Sequence, residues 1–189
     1  LPDSRTEINS TDKISPLLVS AYPTTLPLLI GELSSDNVMD NGGQFDTDEL
    51  IEKLYLWDSP SISSYDSPYA LWEGCYAAIA SANMALEGIE NLGSPASLNP
   101  QRGEALVCRA YSHFLLANVF CMPYNPNTAE SHLGIPYRTR TGDSVYPENT
   151  ERGSLKNTYE QIAADLEAGL PLIKDAAYEV PKYHFNRKA

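Results

Sequence analysis

The sequence predicts an all-α fold, built from irregular helical hairpins that are joined by long loops. Two long segments carry this prediction, because each keeps apolar or small side chains at helical spacing and each begins at a proline. A third segment repeats this spacing nearer the C-terminus. Since only a short linker separates the first two segments, their helices must lie antiparallel and bury one face against each other.

The first long helix is predicted over residues 68–92. Ser67 followed by Pro68 favours a helix start, because serine caps exposed backbone N–H groups and proline needs no N–H at the first helical position. Gly93 supplies a C-terminal cap. The buried stripe of this helix is predicted to contain Trp72, Cys75, Tyr76, Ile79, Ala82, Asn83, Leu86 and Ile89.

The second long helix is predicted to start in the same way, with a capping residue followed by a proline. Asn99 is its predicted N-cap, Pro100 follows as the first helical residue, and Pro123 lies beyond its end. We expect His113, on the apolar face, to be a hydrogen-bonded core residue. The predicted stripe contains Leu106, Ala110, His113, Phe114, Ala117 and Phe120.

The segments outside these two helices are more varied. A third helix is predicted to start near Ser154 and to kink or end at Pro171. Residues 122–153, which precede it, are too polar and proline-rich to be helical. Residues 12–22 offer a short amphipathic helix, whereas residues 31–50 are acidic and contain glycine, which predicts a surface loop.

Charge and composition limit the possible partners. Among 189 residues, 25 acidic and 13 basic side chains give a net charge of −12, so the surface should repel nucleic acid and anionic lipid. No apolar run approaches the roughly 20 residues that a membrane-spanning helix needs. Cys75, Cys108 and Cys121 have no metal-ligand spacing, and we expect them to be small buried side chains rather than a disulfide scaffold.

The motifs of common catalytic and cofactor sites are missing from the sequence. It has no glycine-rich phosphate loop, no G-x-S-x-G elbow and no H-E-x-x-H pair, so we expect no catalysis, no cofactor and no metal site. Paired carboxylates for glycoside hydrolysis would have to come from Asp46, Asp48, Glu49, Asp58 and Asp66. The acidic residues 36–49 lack EF-hand spacing, and the sequence leaves open whether they bind calcium.

Two charged residues stand among the apolar positions of the second long helix. Glu104 and Arg109 would each be costly in a core unless they are paired or hydrogen-bonded. We therefore expect them to clamp the structure, with the guanidinium of Arg109 tied to Asp165 of the third helix or to loop carbonyl groups. Asn83, in the middle of the first long helix, is expected to have a similar structural role.

Three segments, taken in order, closely resemble the N-terminal part of the SusD/RagB family of surface glycan-binding lipoproteins from Bacteroidetes. They are W-x3-Y-x2-I-x3-N-x2-L from Trp72 to Leu86, GEALVCRAYSHFLL at 103–116, and LGIPY at 133–137 followed by Arg152, Ser154, Tyr159, Ile162, Asp165 and Leu166. The A-x-x-x-F spacing of Ala110 and Phe114 also matches part of the tetratricopeptide consensus. The chain departs from the family pattern after Asp165 and Leu166, where it has Gly169 and then Pro171.

The resemblance implies an outer-membrane protein at the cell surface that takes part in polysaccharide utilisation. Such a protein binds oligosaccharide or polysaccharide, without catalysis, for import through a SusC-like TonB-dependent transporter. It is held by an N-terminal lipid anchor, which is absent from this chain. Residues 1–189 are then expected to be the N-terminal helical domain, with tetratricopeptide-like hairpins, of a longer protein.

Aromatic residues indicate where a sugar would bind. Flat rings stack on the apolar face of a pyranose while polar groups satisfy its hydroxyls. Trp57, Asp58, Tyr65 and Asp66 lie on a predicted irregular stretch before the first long helix, a place that in the resembled family often contributes to the glycan site. These four residues are the candidate glycan site, whereas Trp72 is expected to be core.

A competing hypothesis remains open. Helical-repeat proteins also bind proteins or peptides in a concave groove, with no carbohydrate involved. Such a scaffold should line its groove with Asn, Lys and Arg, whereas the Lys and Arg of this chain are scattered.

Overall fold

The computed structural model describes residues 8, 10–42, 48–61, 64–142 and 151–186, and these residues confirm the all-α prediction. Within them no β-strand forms, and Leu133 and Ser154 make an isolated antiparallel bridge. The α-helices are α1 (Ile14–Leu18), α2 (Leu28–Leu33), α3 (Glu49–Tyr55), α4 (Pro68–Asn91), α5 (Asn99–Phe120) and α6 (Leu155–Gly169). No helix in this part of the chain has the length and apolar character needed to cross a membrane.

Helix α4 begins and ends close to the predicted residues. The Ser67 hydroxyl accepts a hydrogen bond from the Ala70 N–H at 3.1 Å, which is the predicted cap. At the other end Gly93 adopts a φ of 80°, a left-handed conformation that costs glycine little. The Ser94 N–H then donates to the Ile89 carbonyl at 2.9 Å and completes a Schellman motif.

Helix α5 differs from the prediction at its start. A 3₁₀ turn over Ala96–Leu98 runs directly into the helix, so Asn99 already has helical dihedral angles and Leu98 occupies the N-cap position. Leu98 makes no side-chain capping bond. The prediction of an Asn99 cap was therefore wrong by one residue, although the helix itself is confirmed.

The burial of α5 also differs from a one-sided stripe. Helix α5 packs against both α4 and α6, so its side chains are buried around most of its circumference. His113 is fully buried, as predicted. Phe114, which was predicted to be core, is instead 42% exposed and contacts the ring of Tyr159 edge-on. Phe120 is half-buried.

Two glycines allow α5 and α6 to approach closely. A Cβ at Gly103 would lie 2.7 Å from the Gly169 carbonyl oxygen, and a Cβ at Gly169 would lie 2.9 Å from the Gly103 oxygen. Neither position has room for a larger side chain, because the nearest obstructing atom at each is a backbone oxygen, which cannot move aside as a flexible side chain could. This contact fixes the end of α6 against the start of α5. Pro171 follows in a 3₁₀ turn, as its position predicts.

The N-terminal region is more helical than the sequence indicated. Helix α1 buries Ile14 and Leu18 against α4 and α5, which confirms the short amphipathic helix. The surface-loop prediction for residues 31–50 was wrong at both ends, because α2 extends to Leu33 and α3 begins at Glu49. The Asp48 carboxylate caps α3 by accepting from the Leu50 N–H at 2.8 Å. Residues 43–47, and with them Asp46, lie outside the described residues.

The remaining sequence predictions concern the C-terminal half and the cysteines. Ser154 caps α6 as predicted, by accepting from the Asn157 N–H at 3.1 Å. The described parts of residues 122–153 contain no helix, also as predicted. Cys75 and Cys108 are buried free thiols, and burial raises the pKa of Cys75 to about 11, so both behave as small apolar side chains. Cys121 is also free, but only partly buried.

Candidate functional site

A groove of about 800 Å³ lies between the first half of α4 and the segment that carries Thr24 and Thr25. It is broad and open, unlike an enclosed ligand cavity. Its lining is mostly aromatic, hydroxyl-bearing or small, and consists of Thr24, Thr25, Tyr65, Tyr69, Ala70, Trp72, Glu73, Gly74, Tyr76 and Ala77. These are the residue types that present flat apolar rings together with hydrogen-bonding groups.

Tyr65 and Tyr69 are the most exposed rings of the groove. Tyr65 is 65% exposed, yet its hydroxyl donates to the Thr24 carbonyl oxygen at 2.6 Å, which fixes the ring beside Thr24 at the groove. The Tyr69 side chain is 56% exposed, and its hydroxyl donates to the Glu73 carboxylate one helical turn later at 2.8 Å. Both rings are therefore held in place while they remain accessible.

Trp72 and Tyr76 are the groove's less exposed rings. Their ring centroids lie 5.0 Å apart, and Trp72 also meets Phe120 edge-on at 5.1 Å. The Tyr76 hydroxyl donates to the Pro136 carbonyl oxygen at 2.8 Å, which ties the loop after α5 to this face of α4. Trp72 was predicted to be core, but it packs at the edge of the core and stays half-buried.

Glu73 is the acidic residue of the groove, and none of the described lining residues is basic. The hydrogen bond to its carboxylate raises the pKa of Tyr69, because that bond favours the protonated hydroxyl, which is the donor. The arrangement offers two carboxylate oxygens beside an exposed ring. Such a pair can accept hydrogen bonds from neighbouring hydroxyl groups of a ligand.

The structure separates the four predicted site residues into two places. Tyr65 lines the groove, and Asp66 follows it as an exposed residue before the cap of α4. Trp57 and Asp58 lie at the end of α3 and are not among the groove's lining residues. The Asp58 carboxylate accepts from the Ser59 N–H at 2.8 Å, which gives it a local turn-forming role.

Trp57 has an unusual backbone. Its φ of 57° places it in the left-handed region, and its side chain is 80% exposed. The Trp57 N–H donates to Leu54 at 3.2 Å and the Asp58 N–H to Lys53 at 2.8 Å, which is the same Schellman motif that Gly93 forms after α4. A non-glycine residue is strained at this position, so the exposed indole is held at an energetic cost.

Sequence reasoning missed Tyr69 and Glu73. Both lie on α4, but on the side of the helix away from its buried stripe, and the i, i+4 spacing of a tyrosine and a glutamate was the available signal. Thr24 and Thr25 carried no signal, because only the fold brings residues so distant in sequence to the groove.

Behind the groove, a buried polar network joins the three long helices. The guanidinium of Arg109 donates to both Asp165 oxygens, at 2.7 and 2.6 Å, and also to the Asn83 amide oxygen at 3.0 Å. The Tyr137 hydroxyl donates to Asp165 at 2.7 Å, and its ring stacks on His113 with centroids 3.8 Å apart. The predicted structural roles of Arg109 and Asn83 are confirmed.

Glu104 belongs to a second buried cluster. Its carboxylate is fully buried and accepts from the hydroxyls of Tyr22, at 2.6 Å, and Tyr178, and His184 Nδ1 lies 2.7 Å away. Burial, followed by the proximity of Cys108 and the bond to Glu104, raises the pKa of Tyr22, so its hydroxyl is a donor. Glu104 thus ties both ends of the described chain to α5, as its expected clamping role requires.

No group of three or more His, Cys, Asp or Glu side chains within the described ranges is arranged to hold a metal ion. The two buried clusters consist of hydrogen bonds that are satisfied within the protein. The groove is accessible, and it brings polar and aromatic side chains together where a ligand can contact both.

The fold resembles two solved structures. One is a SusD superfamily protein from Bacteroides thetaiotaomicron VPI-5482, with 22% identity and a TM-score of 0.60 over 87% of this chain and 37% of that one. The other is a SusD superfamily protein from Bacteroides fragilis, with 19% identity and a TM-score of 0.70 over 89% of this chain and 41% of that one. The chain thus spans about two fifths of the length of these two structures.

Comparison with curated protein sequences finds no match. The sequence profile of the SusD-like family, described as starch-binding and associating with the outer membrane, matches residues 1–189. Because this match extends over the whole chain, and the helical architecture agrees with it, the protein belongs to the SusD-like family.

Proposed function

We propose that this protein binds oligosaccharide or polysaccharide in the groove between Thr24–Thr25 and α4, as a surface glycan-binding protein without catalytic activity. The observation that carries the proposal is the pair of exposed, hydrogen-bonded rings of Tyr65 and Tyr69 on that groove. The family's description as starch-binding supports the same class of ligand.

The chemistry of a pyranose fits this surface. One face of the sugar ring carries C–H groups that pack against an aromatic ring, while its rim carries hydroxyls that need partners. Tyr65 and Tyr69 supply the rings, and Thr24, Thr25 and Glu73 supply the polar atoms. Because both rings are already fixed by hydrogen bonds, little side-chain entropy would be lost on binding.

Trp57, Asp58 and Asp66 extend the proposed site beyond the groove. The strained backbone of Trp57 presents its indole to solvent, as expected for a side chain selected for contact with a ligand. A polysaccharide that occupies the groove can also contact exposed side chains outside it. Asp58 and Asp66 are exposed and can accept hydrogen bonds from its hydroxyls.

The proposed cellular role is nutrient uptake at the outer membrane. The bound glycan is passed to a SusC-like TonB-dependent transporter, and a lipid anchor outside this chain holds the protein at the cell surface. The family's described association with the outer membrane supports this location. The matched structures extend well beyond the part that this chain covers, so the chain is proposed to act as one domain of a larger binding protein.

Affinity electrophoresis against a panel of soluble polysaccharides tests the proposal. The wild-type chain should be retarded by at least one polysaccharide, and Tyr69→Ala should lose that retardation with an unchanged melting temperature. Tyr124→Ala is the matched control, because Tyr124 is 45% exposed but lies outside the groove. Absence of retardation by any polysaccharide would contradict glycan binding and would favour the competing protein-binding or peptide-binding scaffold.

A further inference from the structure

The charge on the lining of the groove is negative. Its single charged lining residue is Glu73, and the described lining contains no lysine, arginine or histidine. The neighbouring Asp66 is also acidic and exposed. The whole chain carries a net charge of −12, so its long-range field has the same sign. An anionic ligand would meet unfavourable charge both on approach and in the groove.

Glu73 is also well placed to contact a ligand. One of its oxygens accepts from the Tyr69 hydroxyl at 2.8 Å, which orients the carboxylate beside the exposed ring. Its side chain is exposed on the groove side of α4. An ionised carboxylate only accepts hydrogen bonds, so it matches the donor hydroxyls of a sugar and rejects another carboxylate or a sulfate.

We infer that Glu73 is a specificity-determining residue that restricts the groove to neutral glycans and excludes glycans that bear carboxylate or sulfate groups. This inference rests on the proposed function, since it concerns the same groove. Neutral sugars gain charge-assisted hydrogen bonds to Glu73. Acidic sugars lose these bonds and place like charges a few ångströms apart, at a cost that falls as salt screens the interaction.

The test uses pairs of polysaccharides that share one backbone and differ in carboxymethyl substitution, and the Glu73→Gln variant separates the effect of charge from that of the added bulk. Starch, cellulose and xylan are each prepared in a soluble neutral form and a carboxymethylated form, and the dissociation constant of the 189-residue chain is measured for each. For the backbone that binds, the neutral form should bind at least about tenfold more tightly at low salt. Glu73→Gln should reduce this ratio severalfold, because the amide keeps the size and the acceptor for Tyr69 but removes the charge.

Glu160→Gln is the control for the change in net charge. Glu160 is an exposed residue of α6 outside the groove, so this variant should keep the wild-type preference. Equal binding of neutral and carboxymethylated forms, or a preference that Glu73→Gln leaves unchanged, would overturn the inference while glycan binding itself stood. If no polysaccharide of either charge binds, the proposed function fails and the inference fails with it.

Discussion

The guanidinium of Arg109 and the carboxylate of Asp165 form a two-pronged ion pair between α5 and α6, with N–O distances of 2.7 and 2.6 Å. Both side chains are almost fully buried. The Arg109 side chain also donates to Asn83 on α4 and to the Thr139 carbonyl oxygen. One guanidinium therefore connects three helices and the loop between α5 and α6.

Loss of either partner of this pair should be strongly destabilising. Asp165→Ala leaves a buried guanidinium without its counter-charge, and we expect the free energy of unfolding to fall by about 3–5 kcal/mol. Urea denaturation monitored by circular dichroism measures this change. Lys53→Ala removes the exposed pair with Glu49 and should leave the midpoint almost unchanged. Similar small effects for both variants would contradict the clamp.

Stability should fall on acidification because of His113. Its Nε2 accepts from the Arg138 N–H at 3.1 Å while its Nδ1 lies 2.8 Å from the Arg109 carbonyl oxygen, so the neutral ring fits this site. Burial lowers the pKa of His113 from 6.5 to about 4. The unfolded chain takes up this proton at a higher pH than the folded protein does. The contribution of the neutral His113 ring to the free energy of unfolding is therefore fully present above about pH 6.5 and is lost as the pH falls towards 4.

The size of this effect is roughly 3 kcal/mol from His113 alone, at about 1.4 kcal/mol for each pKa unit. The measurement is the free energy of unfolding by urea at several pH values between 4 and 7. His113→Gln should show a flatter dependence than the wild type over this window, although it is less stable at pH 7. An unchanged slope in His113→Gln would refute the assignment.

Two helical glycines should respond in opposite ways to alanine. At Gly74 an added Cβ would lie 3.8 Å from the Thr25 hydroxyl, an ordinary contact, so Gly74→Ala should raise stability by up to about 1 kcal/mol through helix propensity. At Gly103 the Cβ would lie 2.7 Å from the Gly169 carbonyl oxygen, so Gly103→Ala should cost about 1–3 kcal/mol. Thermal unfolding of the two variants measures both changes, and a Gly103→Ala variant as stable as the wild type would contradict the close approach of α5 and α6.

Glu104 should hold the C-terminal part of the described chain in place against α5. Tyr178 and His184 both contact its carboxylate, and the segment that carries them has only short 3₁₀ turns of its own. Glu104→Gln weakens these charge-assisted contacts, so amide hydrogen exchange should accelerate in residues 175–186. Glu90→Gln, at an exposed site, should leave that exchange unchanged. Equal protection in both variants would show that other contacts hold the segment.

Trp57 offers a test in which stability and binding should change in opposite directions. Trp57 has a φ of 57°, which glycine adopts without strain, so Trp57→Gly should stabilise the end of α3 by about 1 kcal/mol. If the indole contacts glycan, the same variant should bind polysaccharide more weakly. Thermal unfolding and affinity electrophoresis measure the two effects. Greater stability with unchanged binding would remove Trp57 from the proposed site.

The sequence predicted the features that depend on local pattern. Ser67, Pro68 and Gly93 marked the limits of α4 because capping and left-handed turns have strong residue preferences. The Arg109 pair was predictable because a charge on an apolar helix face needs a partner, and Asp165 lay on the next helix.

Very short helices, and features that depend on contacts between residues distant in sequence, were not predictable. Helix α3 is only one or two turns long, so its two buried leucines gave too little periodicity to reveal it. The partners of Glu104 lie about 80 residues away on either side, at Tyr22 and His184. The groove depends on the docking of Thr24 and Thr25 beside α4, and therefore Tyr69 and Glu73 looked like ordinary surface residues in the sequence.

The most direct measurement is calorimetric titration of the chain with a neutral oligosaccharide cut from the polysaccharide that retards it most. Tyr65→Ala should weaken binding by about tenfold, because the groove loses a stacking ring. Tyr65→Phe keeps the ring and should retain most of the affinity, despite losing the hydrogen bond to Thr24. Wild-type affinity in a folded Tyr65→Ala variant would contradict the assignment of this groove as the glycan site.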